Sequence, residues 1–183
     1  MPSLINQVVK LVIFTVLAVN TTWASAQTWA KTTKSGKAHT TTLQFYFHDT
    51  TSGSAPTAVQ VAQPANPSQY KTGFGIVMMV DDPLTLGPDP KSKLVGRAQG
   101  LYGSACQDEL SLIMALSYSF VDGPYNGSSI SIMGPNQVMH DVREMPVVGG
   151  TGLFRMARGY ALAHTYSVDS QVAIVGYNVT LIH

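Results

Sequence analysis

An antiparallel all-β fold, a sandwich or a closed barrel, is what this sequence predicts, and three observations predict it. Short runs rich in β-branched and aromatic residues recur along the chain, with Gly, Pro, Asn and Asp turn signals between them. Several of these runs alternate with period two, and none carries a sustained helical period. Charge is scarce, at 11% of residues, and there is one cysteine, Cys106, so no intramolecular disulfide can staple the fold. A closed sheet leaves no edge strands, which suits such a chain and favours the barrel; an eight-stranded barrel has an interior wide enough for one small ligand.

The elements follow in order. Lys10 is the only charged residue ahead of the apolar run Leu11–Val19, and Ala24-Ser25-Ala26 supplies small residues in an A-x-A pattern. This is the layout of a secretory signal peptide over residues 1–26, with Gln27 as the new N-terminus. The run is about half of the ~20 residues that span a bilayer, so no membrane partner is expected. Residues 27–40 are polar and rich in Thr, Lys and Gly, which predicts a flexible leader. Residues 41–183 then form one domain. The strands expected in it are 41–49, a short one at 57–61, 74–82 stopped by Asp82-Pro83, 94–105, 110–121, 128–133 ended by Gly134-Pro135, 138–148, 154–166 and 171–182. Two Pro- and Gly-containing loops cover 50–72 and 83–93, and Gly149-Gly150-Thr151-Gly152 reads as a hinge between strands.

Charge excludes some partners. The chain has 11 Lys+Arg and 10 Asp+Glu, and removing Lys10 with the signal segment leaves 10 of each. A neutral chain without a basic stripe is not expected to bind nucleic acid, and its low charge favours self-association. His48, His140, His164 and His183 have no Cys or second His at ligand spacing, so no metal site is expected. No GxSxG and no Cys/His arrangement supports hydrolase chemistry.

Several residues carry candidate chemistry. Asp49 shares parity with Phe45 and Phe47, so an inward aromatic face places its carboxylate inside, where a raised pKa lets it act as an acid; the alternative is a strand-end aspartate that caps a turn. Asp81 and Asp82 point to opposite faces of a strand and cannot act as a pair. Asp82 before proline reads as a turn former, which leaves Asp81 as the residue of interest. Arg97, Arg143, Arg155 and Arg158 lie in expected strands, and an arginine buried in such a barrel can bind a phenolate or carboxylate. Asn126-Gly127-Ser128 and Asn178-Val179-Thr180 are glycosylation sequons; Asn126 lies in a turn and Asn178 in a strand.

Four blocks, Phe45-Tyr46-Phe47-His48-Asp49, Asp81-Asp82-Pro83-Leu84-Thr85, Val95-Gly96-Arg97-Ala98-Gln99-Gly100-Leu101-Tyr102 and Val148-Gly149-Gly150-Thr151-Gly152-Leu153-Phe154, resemble in content and order the signature blocks of plant dirigent proteins. The resemblance implies an eight-stranded antiparallel barrel, a homotrimer, secretion to the apoplast and no cofactor. It implies a pocket for a small phenolic substrate or radical. In one branch a separate oxidase (a laccase or peroxidase) makes the phenoxy radicals, and the dirigent protein imparts stereoselectivity on their coupling towards lignans. In another, a hydro-lyase dehydrates an isoflavanol to a pterocarpan through a quinone methide. A non-catalytic phenolic-binding protein of cell wall or defence is the third reading.

Carried across by motif, Asp49, Tyr102 and Arg143 match the catalytic positions, while Asn136, Phe47 and Asp81 are assigned to substrate binding. Asn136 stands where pinoresinol-forming members have an aspartate, and an amide cannot be a general acid. The cysteine pair of those members is missing too. Both departures move the chain towards the pterocarpan-synthase-like subfamilies. Gly176 replaces an acidic residue of the familiar pattern.

Overall fold

A computed structural model describes Gly36 and residues 38–183. The expected signal segment 1–26 and most of the leader lie outside the described residues. Nine strands follow: β1 (Thr40–Thr50), β2 (Ala58–Ala62), β3 (Val77–Thr85), β4 (Leu94–Ser104), β5 (Ser111–Phe120), β6 (Ser129–Gln137), β7 (Arg143–Thr151), β8 (Arg158–Val168) and β9 (Val172–Ile182). Each pairs antiparallel with its neighbours in the order β1-β9-β8-β7-β6-β5-β4-β3-β2, and β1 also pairs with β3. That last pairing closes eight strands into a barrel and leaves β2 outside it, on β3.

Closure is short. β1 meets β3 through Tyr46↔Thr85 and Phe47↔Leu84, whereas β1 and β9 pair along their whole length. Thr57 extends the seam. Its backbone N–H donates to the Thr50 carbonyl, its own carbonyl accepts from the Asp81 N–H, and its hydroxyl reaches Asp82. One residue thus ties the end of β1 to the middle of β3.

Period-two alternation fills the interior. Phe45, Val80, Leu84, Ala98, Leu116, Tyr118, Ile130, Ile132, Met145, Val147, Val179 and Leu181 are all buried. Tyr118 stands opposite Ala98, which stands opposite Asp82, so a large ring is fitted by a small residue two strands from the seam. Gly100 in the GRAQG block takes φ +142°, and a Cβ there would lie 2.3 Å from the Ala115 carbonyl oxygen, which no side chain tolerates.

Four expected boundaries are corrected, each for a physical reason. β3 does not stop at Asp82-Pro83 but runs through to Thr85. Pro83 sits beside the seam, where β3 has β1 as partner over two residues only, so a missing N–H costs little. β6 likewise runs through Gly134-Pro135 to Gln137, beyond its last pairing with β7 at Ile132↔Val147. Residues 138–142 form the turn that was expected to be strand. Gly149-Gly150 belongs to β7 rather than to a hinge; the chain turns at the 3₁₀ segment Gly152–Phe154. A Cβ on Gly150 would meet the Phe154 and Ser129 carbonyl oxygens at 2.5 and 2.6 Å, so close backbone approach explains that glycine.

Candidate functional site

One end of the barrel opens into a cavity of about 190 Å³ lined by Phe47, Asp49, Tyr102, Asn136, Arg143 and Tyr177, with aliphatic residues and Met114 around them. A second hollow of about 320 Å³ at the mouth shares Asp49, Tyr102, Leu110, Leu112, Val138, Val168 and Ala173 with it. Asp49 and Tyr102 therefore stand where the inner cavity meets the mouth.

Strand parity delivers these side chains. On β1, Phe45, Phe47 and Asp49 face inward, so two apolar rings precede the carboxylate along the barrel axis. The Tyr102 hydroxyl donates to Asp49 Oδ2 at 2.7 Å, while Oδ1 is buried without a hydrogen-bond partner among the described residues. Burial pushes the Asp49 carboxyl above its ordinary range, and the hydrogen bond from Tyr102 opposes that only in part. Burial beside this carboxyl also pushes the Tyr102 phenol far up, so it stays a neutral donor.

Across the cavity, Arg143 begins β7 with 3% of its surface exposed. Its Nε donates to Asn136 Oδ1 at 3.2 Å, and its Nη1 to the Thr165 hydroxyl at 3.0 Å and the His140 carbonyl at 3.3 Å. Asn136 is buried and turns its amide NH₂ towards the Met114 sulfur at 3.7 Å. Tyr177 accepts from the Tyr118 hydroxyl at 3.2 Å, and Phe45 stacks on it with ring centroids 5.5 Å apart. The result is an apolar slot with an acid at its entrance, a cation opposite and phenols between them.

Five of the six candidate site residues read from sequence, Asp49, Tyr102, Arg143, Asn136 and Phe47, come together here. Asp81 does not. It lies on the outer face of β3, about half exposed, and accepts from Arg97 Nε at 2.6 Å, which holds its carboxyl below the usual range. Its neighbour Asp82 is the buried one, fully shielded in the barrel core, so the turn-former reading is also corrected. The Thr57 hydroxyl donates to Asp82 Oδ1, Oδ2 has no partner among the described residues, and burial pushes the carboxyl up to about 8. The signal for this was present: Asp82 shares parity with Val80 and Leu84, but only if the strand continues past Pro83. Sequence reading also missed Thr165, Tyr177 and the mouth residues Leu110 and Val168.

Of the two sequons, Asn126 is exposed just after the 3₁₀ turn Gly123–Tyr125. Asn178 is exposed on the outer face of β9, between Gln44 and Leu162 on the adjoining strands. His48 points away from the cavity and is buried, its Nε2 2.6 Å from the Thr85 hydroxyl.

Fold and site together define a closed β-barrel with a polar constellation of Asp, Tyr, Asn and Arg in an apolar cavity. The chain belongs to the dirigent family: the family model for dirigent-like protein matches residues 40–182. It is 60% identical to Dirigent protein 23 of Arabidopsis thaliana over 158 residues, covering 85% of this chain and 84% of that protein. It is 50% identical to Pterocarpan synthase 1 of Glycine max over 146 residues, covering 78% of each. Among solved structures, a pterocarpan synthase dirigent protein superposes with a TM-score of 0.76 at 48% identity, covering 82% of this chain and 88% of that one.

Proposed function

We propose that this dirigent protein binds a phenolic compound in the barrel cavity, holds it as a quinone methide, and fixes the stereochemistry of its closure. The observation that carries the reading is Asp49, a carboxyl that burial holds above its ordinary range, at the junction of an apolar cavity and its mouth. A 150 Å³ apolar cavity is enough to hold benzene, so one of about 190 Å³ admits a substituted phenol ring, with room at the mouth for a second ring. When an internal hydroxyl attacks the methide carbon, electrons move to the ring carbonyl oxygen, which takes a proton and becomes a phenol. Asp49 supplies that proton and the attacking hydroxyl gives one up, so the carboxyl is restored with no redox change.

Two routes lead to such an intermediate. In radical coupling a separate oxidase generates the phenoxy radicals. In dehydration the intermediate arises by loss of water from an isoflavanol, with no oxidant. The second route is favoured by the identity to pterocarpan synthases and by the amide at Asn136, which leaves Asp49 as the pocket acid: the departing hydroxyl takes a proton as the ring phenol gives one up, and the later ring closure returns the ring oxygen to a phenol. The test is incubation with coniferyl alcohol plus an oxidase, and separately with a 2′-hydroxyisoflavanol alone, followed by chiral chromatography. Turnover without oxidant supports the lyase; optical bias only with oxidase supports directed coupling; the absence of both refutes the quinone methide reading and leaves a phenolic-binding protein.

Secretion to the apoplast, glycan on Asn126 and a homotrimer belong to the same reading. Support for self-association comes from the outer face. Val59, Met79, Leu101, Ala115 and Met133 lie in one register row across five strands, and Val59, Met79, Leu101 and Met133 are exposed. An apolar row of this kind on an outer sheet face suits packing against a second copy of the chain.

A further inference from the structure

Arg143 is the one arginine or lysine that is buried among the described residues, and every group it donates to is uncharged: the Asn136 amide, the Thr165 hydroxyl and the His140 carbonyl. The ion pairs found among the described residues are surface contacts of Lys93, Arg97 and His140, and none includes Arg143. Asp49, the pocket carboxyl, is turned to Tyr102 and makes no ion pair with it. A guanidinium taken out of water is costly unless a counter-charge meets it. Here the chain places an amide against Nε, in the shape of an aspartate but without its charge. The missing charge faces an apolar cavity the size of one substituted aromatic ring.

We infer that the cavity takes an aromatic ligand bearing an oxyanion, a carboxylate or a phenolate, which docks on Arg143, and that Asn136 sets this preference by leaving the arginine unneutralised. The inference rests on the cavity being a phenolic site and adds the ligand's charge to it. The planar guanidinium suits an oxyanion, with charge-assisted hydrogen bonds that a neutral ligand cannot reproduce. An aspartate at 136 would supply the counter-charge internally and remove the need for it. The same amide that cannot serve as an acid thus acts as a specificity determinant.

Equilibrium binding to the intact protein tests this with matched probes at one neutral pH: 4-hydroxybenzoate against methyl 4-hydroxybenzoate, and 4-nitrophenolate against 4-nitroanisole. The wild type is expected to bind at least one of the anions about tenfold or more tightly than its neutral partner, the scale of a hydrogen bond to a charged group. Which anion does so identifies the oxyanion source. Asn136→Asp, checked for folding by circular dichroism, is expected to erase the ratio and to raise the thermal midpoint as the internal pair forms. Equal binding of anion and neutral probe by the wild type overturns the inference while leaving the phenolic cavity standing. Failure of all four probes to bind overturns both. A ratio that survives in a folded Asn136→Asp protein overturns the role given to Asn136.

Discussion

Replacing Asp82 by asparagine changes how stability depends on pH, and the structure sets the size of the change. The carboxyl titrates at about 8 in the barrel and near 3.8 in the unfolded chain. Between those values the folded protein keeps a proton that the unfolded chain releases, so stability is full below about pH 4 and falls as pH rises towards 8. Each pH unit in that window removes up to about 1.4 kcal/mol, which makes the penalty at pH 7 about 4 kcal/mol as a ceiling before relaxation of the core reduces it. Asparagine keeps an oxygen for the Thr57 hydroxyl and has no proton to hold. Its buried NH₂ carries a constant cost of about 1–3 kcal/mol, which offsets the curve without tilting it. Urea unfolding of both proteins at pH 4, 5.5, 7 and 8 should therefore give a stability difference that moves in favour of Asp82→Asn as pH rises, by about 2 kcal/mol or more between pH 4 and 7. Parallel stability curves would refute the reasoning, because they would mean that the Asp82 carboxyl is as ionised in the core as in the unfolded chain.

Three further outcomes are expected. Tyr102→Phe removes a hydrogen bond that holds the Asp49 carboxyl down, so the alkaline limb of the activity profile should move to higher pH; an unmoved limb separates Tyr102 from the acid. Chelators and thiol reagents should leave activity unchanged, since the proposed proton transfer uses no metal and Cys106 stands apart from the cavity lining; a loss restored by added metal would contradict this. Mass spectrometry of protein from plant tissue should find residues 1–26 removed and glycan on the exposed Asn126, and an intact N-terminus or bare Asn126 would count against the secretory reading.

The fold was legible because alternation survives in nearly every strand, and Asp49 could be placed inside on the parity of Phe45 and Phe47 alone. Proline misled the reading twice. Asp82-Pro83 and Gly134-Pro135 look like strand ends in a one-dimensional pattern, but each proline lies where its strand lacks a full partner, a property of topology that spacing does not carry. The error at Pro83 exchanged the roles of two aspartates: Asp81 faces solvent with Arg97, and Asp82 lies in the core with Thr57. Arg143 and Asn136 were assigned to the site by family likeness. That they touch each other follows from the β6–β7 turn that brings the two strand ends together, and no carboxylate among the described residues pairs with Arg143.

The proposed chemistry turns on Asp49 as the pocket acid, and the most direct measurement compares wild type with Asp49→Asn in the chiral assay, at saturating ligand, with folding and ligand affinity measured alongside. Asparagine preserves the shape and an acceptor for Tyr102 but cannot release a proton. Turnover or stereocontrol should fall by about 10²–10⁴-fold, the usual loss when a general acid is removed, while affinity and the unfolding transition stay close to wild type. An Asp49→Asn protein that keeps full activity and the wild-type enantiomer ratio would contradict the account and return Asp49 to the part of a strand-end residue held by Tyr102.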